Sequence, residues 1–205
     1  MYAGVDVGAA GVVCVSLDRE SRVDEARTFT AAAEAAEWAV KHEVVCIDAP
    51  AQTSRGAHVP ADGLSRTFSE ARCAEIALGR DYGIWVPWVT PVEPPASGWM
   101  AVGLELFQAM EASGAHAAEV FPYGIFRLLA GEAKLPKKST LVGLHARRQL
   151  LEAAGASGPH LAAWSHDAID ALAGAVVARD IANGTARRAT CGHDDSAIWL
   201  PAPPT

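Results

Sequence analysis

Sulfur is scarce in this chain and scattered where it occurs. The four cysteines, Cys14, Cys46, Cys73 and Cys191, form no CxxC pair and no cysteine–histidine cluster at zinc-ligand spacing, which excludes a thiolate metal centre. They read as buried small hydrophobes in a reducing cytoplasm, not as a disulfide framework. No apolar run approaches the roughly 18 residues of a membrane span, and the amino-terminal segment lacks a basic stretch followed by an apolar one. The expectation is a cytoplasmic protein with no membrane partner. Basic residues are also in deficit: 17 Lys and Arg against 24 Asp and Glu leave a formal charge of −7. That argues against an abundant, sequence-blind binder of duplex DNA, but not against an enzyme whose own site adds carboxylates. What the chain has in plenty is small apolar side chains, since half of its residues are hydrophobic and 42 are alanine. Length and composition fit a single domain over residues 1–205 with a real core.

The opening MYAGVDVGAAGVVCVSLD reads as two strands, Tyr2 to Val7 and Gly11 to Leu17, joined by a small-residue turn at Gly8 to Ala10. Side chains alternate on a strand, so Asp6 shares a face with Gly4 and Tyr2 while Ala3, Val5 and Val7 point the other way. Val23 to Thr30 suits a third strand and Ala31 to Lys41 an alanine-rich helix. Val44 to Asp48 is short and almost wholly apolar, the pattern of a strand covered on both faces, and Pro50 stops it just past Asp48. Ala51 to Ser65 is a long loop, Thr67 to Leu78 a helix and Ile84 to Val86 a strand, before four prolines break the region from Pro87 to Ser97. Helix returns from Trp99 to Ala112. Ala117 to Phe121 is a strand carrying Glu119, and helices follow from Pro122 to Leu129, from Thr140 to Ala154, and from Ser165 onward. Ala197 to Leu200 makes a last strand. Strands first, then strands and helices in alternation, imply a mixed sheet with helices on both sides.

The helix after Ser165 is the informative one. Ser165 is placed to cap it, with His166 and Asp167 in the first turn and Asp170 one turn on. At about 100° per residue Asp167 and Asp170 lie about 60° apart and project from one side. Gly174 and Ala178 continue that side, small enough to let the helix approach a sheet closely, and Ile169, Leu172, Ala173 and Val176 make the other. A helix apolar or tiny nearly all round is a buried one. Two carboxylates there repel each other and lose hydration unless a cation or hydrogen-bond donors meet them. Capping and the helix dipole account for Asp167; they do not account for Asp170. Together with Asp6 and Asp48 these acids form an all-oxygen donor set, the kind hard divalent cations prefer.

An Asp in the first strand, an acid ending the fourth and DxxDA on a late helix resemble the RNase H-like superfamily, particularly bacterial Holliday-junction resolvases. The whole chain is similar to domain-of-unknown-function family 429, predicted nucleases of RNase H-like type. GVDVG, VVCIDAP, the segment from Arg72 to Arg80, Thr90–Pro91, GWMAVGLELFQAM, EVFP, LLAG, KKS, HDAIDALAGAVVA and IWLP carry the resemblance, in order and over nearly the full length. It implies an α/β fold, an RNase H-like mixed five-stranded sheet with helices on both faces, the first strand central and the fourth beside it. It also implies two Mg²⁺ or Mn²⁺ ions about 4 Å apart, one activating water and the other stabilising the leaving 3′ oxygen of a phosphodiester. On that analogy Asp6 bridges, Asp48 serves one ion, and Asp167 and Asp170 serve the other; Glu119 is a ligand or a substrate contact. Many nucleases of the superfamily have Glu where this chain has Asp48, whose shorter reach alters metal spacing.

Other residues carry weaker signals. Lys134, Lys137, Lys138, Arg147 and Arg148 make the basic neighbourhood suited to phosphate contacts or to a solvated helix face. Arg72 and Arg80 fit a scissile phosphate or ordinary salt bridges. Trp85, Trp88 and Trp99 flank the proline loop and suit either stacking on bases or core packing. His166 suits a proton shuttle or a partner to a metal ligand, and His193 to Asp195 reads as a solvated turn. The expected activity is that of a metal-dependent nuclease acting on RNA, DNA or branched nucleic acid, with a homodimer left open. Two alternatives stand beside it. One is a non-catalytic module on the same scaffold that binds nucleic acid or protein; the other is an actin- or hexokinase-like phosphotransferase, suggested by DVGAAG but disfavoured by the length.

Overall fold

The computed structural model describes residues 1–8, 11–56, 68–159 and 161–203. Its centre is β1 (Tyr2–Gly8), whose alternate side chains serve two cores. Ala3, Val5 and Val7 face one apolar cluster with α1 (Ala32–Ala39) and α3 (Trp99–Ser113); Tyr2 and its neighbours face another with α6 (His166–Ala182). β2 (Gly11–Leu17) pairs antiparallel with β1, and β3 (Val23–Phe29) antiparallel with β2. On the other side β4 (Val44–Asp48) and then β5 (Ala117–Glu119) add in parallel, giving the order β3-β2-β1-β4-β5. This is the mixed five-stranded sheet with helices on both faces expected above, with the first strand central and the fourth beside it. α4 (Pro122–Ala130) and α5 (Leu141–Ala153) pack on the α6 side. No described helix is long and apolar enough to cross a membrane.

Close backbone approach sets the distance between α6 and the sheet. A Cβ on Gly4 would lie 1.9 Å from the Ala171 carbonyl oxygen and 2.3 Å from the Ala175 nitrogen, and Gly174 in turn lies against Gly4 Cα and the Cys46 carbonyl. Gly4 has no room for a side chain because helix and strand meet backbone to backbone, and at Gly174 a Cβ would be a tight fit, 3.2 Å from Gly4 Cα. Ser165 caps α6 as expected, its Oγ accepting from Ala168 N at 3.2 Å.

Five expectations are corrected. α2 (Cys73–Tyr82) begins six residues later than the pattern suggested, with Arg72 rather than Thr67 at its start; Thr67 and most of the preceding loop lie outside the described residues, as do Ala9 and Ala10 of the first turn. Residues 84–86 form no strand: Ile84 and Val86 are buried in a third apolar cluster with α2, and the chain there packs without pairing. A strand absent from the sequence reading, β6 (Arg187–Ala189), pairs antiparallel with β7 (Ile198–Leu200) as a separate two-stranded sheet. Finally, Cys73 and Cys191 form a disulfide, Cα atoms 4.9 Å apart, although 118 residues separate them. Only Cys14 and Cys46 are the buried free thiols expected. With the disulfide, the cysteine argument for a reducing compartment falls. Asp194 is likewise no solvated turn residue: it is buried and accepts hydrogen bonds from Cys73 N, at the start of α2, and from Ser196.

Candidate active site at the carboxyl edge of the sheet

In the parallel register of β1 and β4, Asp6 stands opposite Asp48. Residues paired across parallel strands share a face, so both carboxylates project from the α6 side at the strands' carboxyl ends, where open α/β sheets bind ligands. α6 supplies the third. From the contact with Gly4 near Gly174, four residues of helix back to Asp170 cover about 6 Å, and two residues of strand from Gly4 to Asp6 cover about 6.6 Å. The two stretches match, and Asp170 arrives at Asp6.

These acids line a cleft of about 820 Å³ together with Asp167, Lys137, Lys138 and Arg147, and with a wall of aromatic side chains. Asp6 and Asp170 are buried, Asp48 partly so. Asp6 and Asp48 face each other across the strand pair, and the charge of Asp6 raises the need of Asp48 for a proton or a cation. Burial, with the charges of Asp170 and Asp167 behind it, pushes the Asp6 carboxyl up to about 7. Burial and then the neighbouring Asp6 and Asp170 hold Asp48 well above the usual carboxylate range. Asp170 is also raised by burial, with Lys138 pulling back: the Lys138 ammonium donates to its Oδ2 at 2.7 Å. Burial works against that ammonium, yet the attraction of Asp170, Asp6 and Asp48 outweighs it and keeps the lysine charged.

Lys138 is held there by its own segment. Arg147, buried over the Phe126 ring, donates to the Pro136 carbonyl at 2.9 Å, and Thr140 N and Oγ1 both donate to the Lys137 carbonyl. Gly143 makes room, since a Cβ there would meet the Lys137 carbonyl at 1.9 Å.

The remaining candidates lie elsewhere. Glu119 accepts from Arg72 at 2.6 and 2.7 Å and from Ala51 N at 2.8 Å; Arg72 also binds Glu75, which accepts from Thr90 as well. All four of these side chains are buried, and they knit β5, α2 and the segment after β4 together. Arg80 is exposed near the end of α2, and neither it, Arg72 nor Glu119 is among the described residues lining the cleft. His166 points its Nδ1 to Asp167 Oδ1 at 2.6 Å, both side chains near half exposed at the rim. Of the five basic residues flagged together, Lys137, Lys138 and Arg147 reach the cleft, while Arg148 binds the Leu161 carbonyl and His145. Tyr123 and Phe126 escaped the sequence reading. The signal was there in FPY, directly after a parallel strand at the edge where the sheet's other acids end.

Among the described residues, no group of three or more His, Cys, Asp or Glu side chains stands arranged for a metal ion. Asp170 is turned to Lys138. The donors are nonetheless all carboxylate oxygens, three from separate elements within one desolvated cleft, and that chemistry fits a hard divalent cation.

The family described as protein of unknown function DUF429 matches residues 99–195, a span that includes Glu119, Lys137, Lys138, Asp167 and Asp170 and stops short of Asp6 and Asp48. Among solved structures, RuvC of Thermus thermophilus aligns at 15% identity over 89% of this chain and 96% of that one, with a TM-score of 0.43. No curated protein matches. Over residues 99–195 the chain is thus similar to the DUF429 family.

Proposed function

We propose that the cleft hydrolyses phosphodiester bonds of nucleic acid with a divalent cation, Mg²⁺ or Mn²⁺, held by Asp6, Asp48 and Asp170 and approached by Asp167 from the rim. The observation that carries this reading is the convergence of three carboxylates, from β1, β4 and α6, in one partly buried place, where their mutual repulsion has no structural use. A bound cation supplies Lewis-acid stabilisation and an acidified water. The chain's own residues do the rest. The rigid strand ends fix Asp6 and Asp48, the Gly4–Gly174 contact fixes Asp170, and Lys137 and Lys138 line the same cleft where they would hold a phosphate oxygen.

The Lys138–Asp170 ion pair favours one competing reading, in which the lysine permanently replaces the cation and the cleft binds without cleaving. Asp6→Asn and Asp170→Asn separate the two. Each is expected to abolish Mn²⁺-supported cleavage across single-stranded, duplex and junction substrates and to weaken Mn²⁺ binding at least tenfold by calorimetry, with folding intact by circular dichroism. Wild-type turnover in either variant removes that residue from the site. Absence of Mn²⁺ binding in the unaltered protein leaves the binding module.

A further inference from the structure

The cleft has a second wall, and it is aromatic. Trp99, Trp88, Phe121 and Tyr123 form a continuous ladder of ring contacts, 5.1 Å from Trp88 to Trp99, 5.1 Å from Trp88 to Phe121 and 5.8 Å from Phe121 to Tyr123. Trp85 lies in the same cleft, its ring laid so close over Gly79 that a Cβ there would sit 2.5 Å away. Rings of this size ordinarily bury themselves. Trp85 and Tyr123 do not: at 44% and 48% exposed they are the aromatic members of the exposed large hydrophobics among the described residues, and both line the cleft that holds Asp6, Asp48 and Asp170. The Trp88 indole N–H, buried beside them, has no hydrogen-bond acceptor.

We propose that this wall stacks an unpaired base, so that the site takes a nucleotide in single strand or turned out of a duplex. The inference rests on the nucleic-acid reading above and names its substrate class. A π-face matches any base, whereas an intact duplex hides its base faces in its own stack and shows only edges. Charge points the same way. A chain of net charge −7 with carboxylates on the cleft floor has little phosphate attraction to offer beyond Lys137 and Lys138, since Arg147 is buried and turned to the Pro136 and Gly143 carbonyls, so stacking has to supply the affinity.

The test is fluorescence anisotropy without divalent cation, using three labelled probes of roughly 10 nucleotides: a single strand, the same strand abasic throughout, and its blunt duplex. The single strand is expected to bind about 5- to 150-fold tighter than either of the others. Tyr123→Ala should lose a comparable factor and Tyr123→Phe should restore it; Trp85→Phe should retain binding that Trp85→Ala loses. Equal binding of the abasic strand, or unchanged binding by Tyr123→Ala, overturns the proposal. Cleavage in Mg²⁺ is scored separately. Base-dependent binding without cleavage keeps the aromatic wall and sinks the nuclease reading, whereas cleavage without base dependence does the reverse.

Discussion

Asp6 and Arg72 are both charged residues inside the protein, yet they stand in opposite relations to it. Arg72 is 1% exposed and fully met by Glu75 and Glu119, a closed arrangement with nothing left over for a ligand. Arg72→Met strands two buried carboxylates and is expected to cost about 3–5 kcal/mol by chemical denaturation, with no recovery on adding Mn²⁺. Asp6 is met only by other acids and one lysine, and its carboxyl is raised to about 7. A folded-state value above the unfolded one, near 3.9, means that the stability is present in acid and is lost as the pH climbs through 7. In metal-free buffer Asp6→Asn should therefore melt higher than the parent at pH 8, by on the order of 2–4 kcal/mol, and the gap should close toward pH 4. A mutation that stabilises the fold and ends cleavage is the mark of a residue kept for chemistry.

Among the elements, α6 and β1 decide whether the acids meet. Their contact runs through Gly4 and Gly174, and Gly4→Ala drives a methyl group into the Ala171 carbonyl 1.9 Å away. The helix has to lift, so thermal and denaturant melts should show a loss of about 3 kcal/mol or more, and Mn²⁺ binding should weaken even though no ligand has changed. α2 is held differently, by Asp194 at its first N–H and by the Cys73–Cys191 disulfide. Closing a loop of 118 residues restricts the unfolded chain, so Cys191→Ser, compared with the oxidised parent, should cost about 2–4 kcal/mol while leaving the cleft's carboxylates in place.

Taken whole, the molecule gathers mutually repelling carboxyls at the carboxyl edge of the parallel strands, where a cleft stands open. A ligand that binds the folded state there stabilises all of it. Mn²⁺ at a hundred times its dissociation constant is expected to add about 2.7 kcal/mol, or roughly 5–10 °C for a chain of this size, read by differential scanning fluorimetry. Asp170→Asn should erase that shift. A shift that persists in the variant would place the cation somewhere else.

The order of strands and helices was legible because alternation on β1 and the all-apolar β4 are local consequences of which faces are covered, and the acids of β1, β4 and α6 were legible because a carboxylate in an apolar element has no local excuse. Gly174 and Ala178 even announced the close face of α6. Nothing local distinguishes Glu119 from those acids, however; whether it faces a cleft or an arginine depends on α2, 47 residues away from Arg72 to Glu119. The same holds for the disulfide across 118 residues, for residues 84–86, whose apolar run was satisfied by packing instead of pairing, and for Lys138, which meets Asp170 through the folded path of its own segment. Chain pattern records what each element needs to bury, while partnership between distant side chains exists only once the elements have packed.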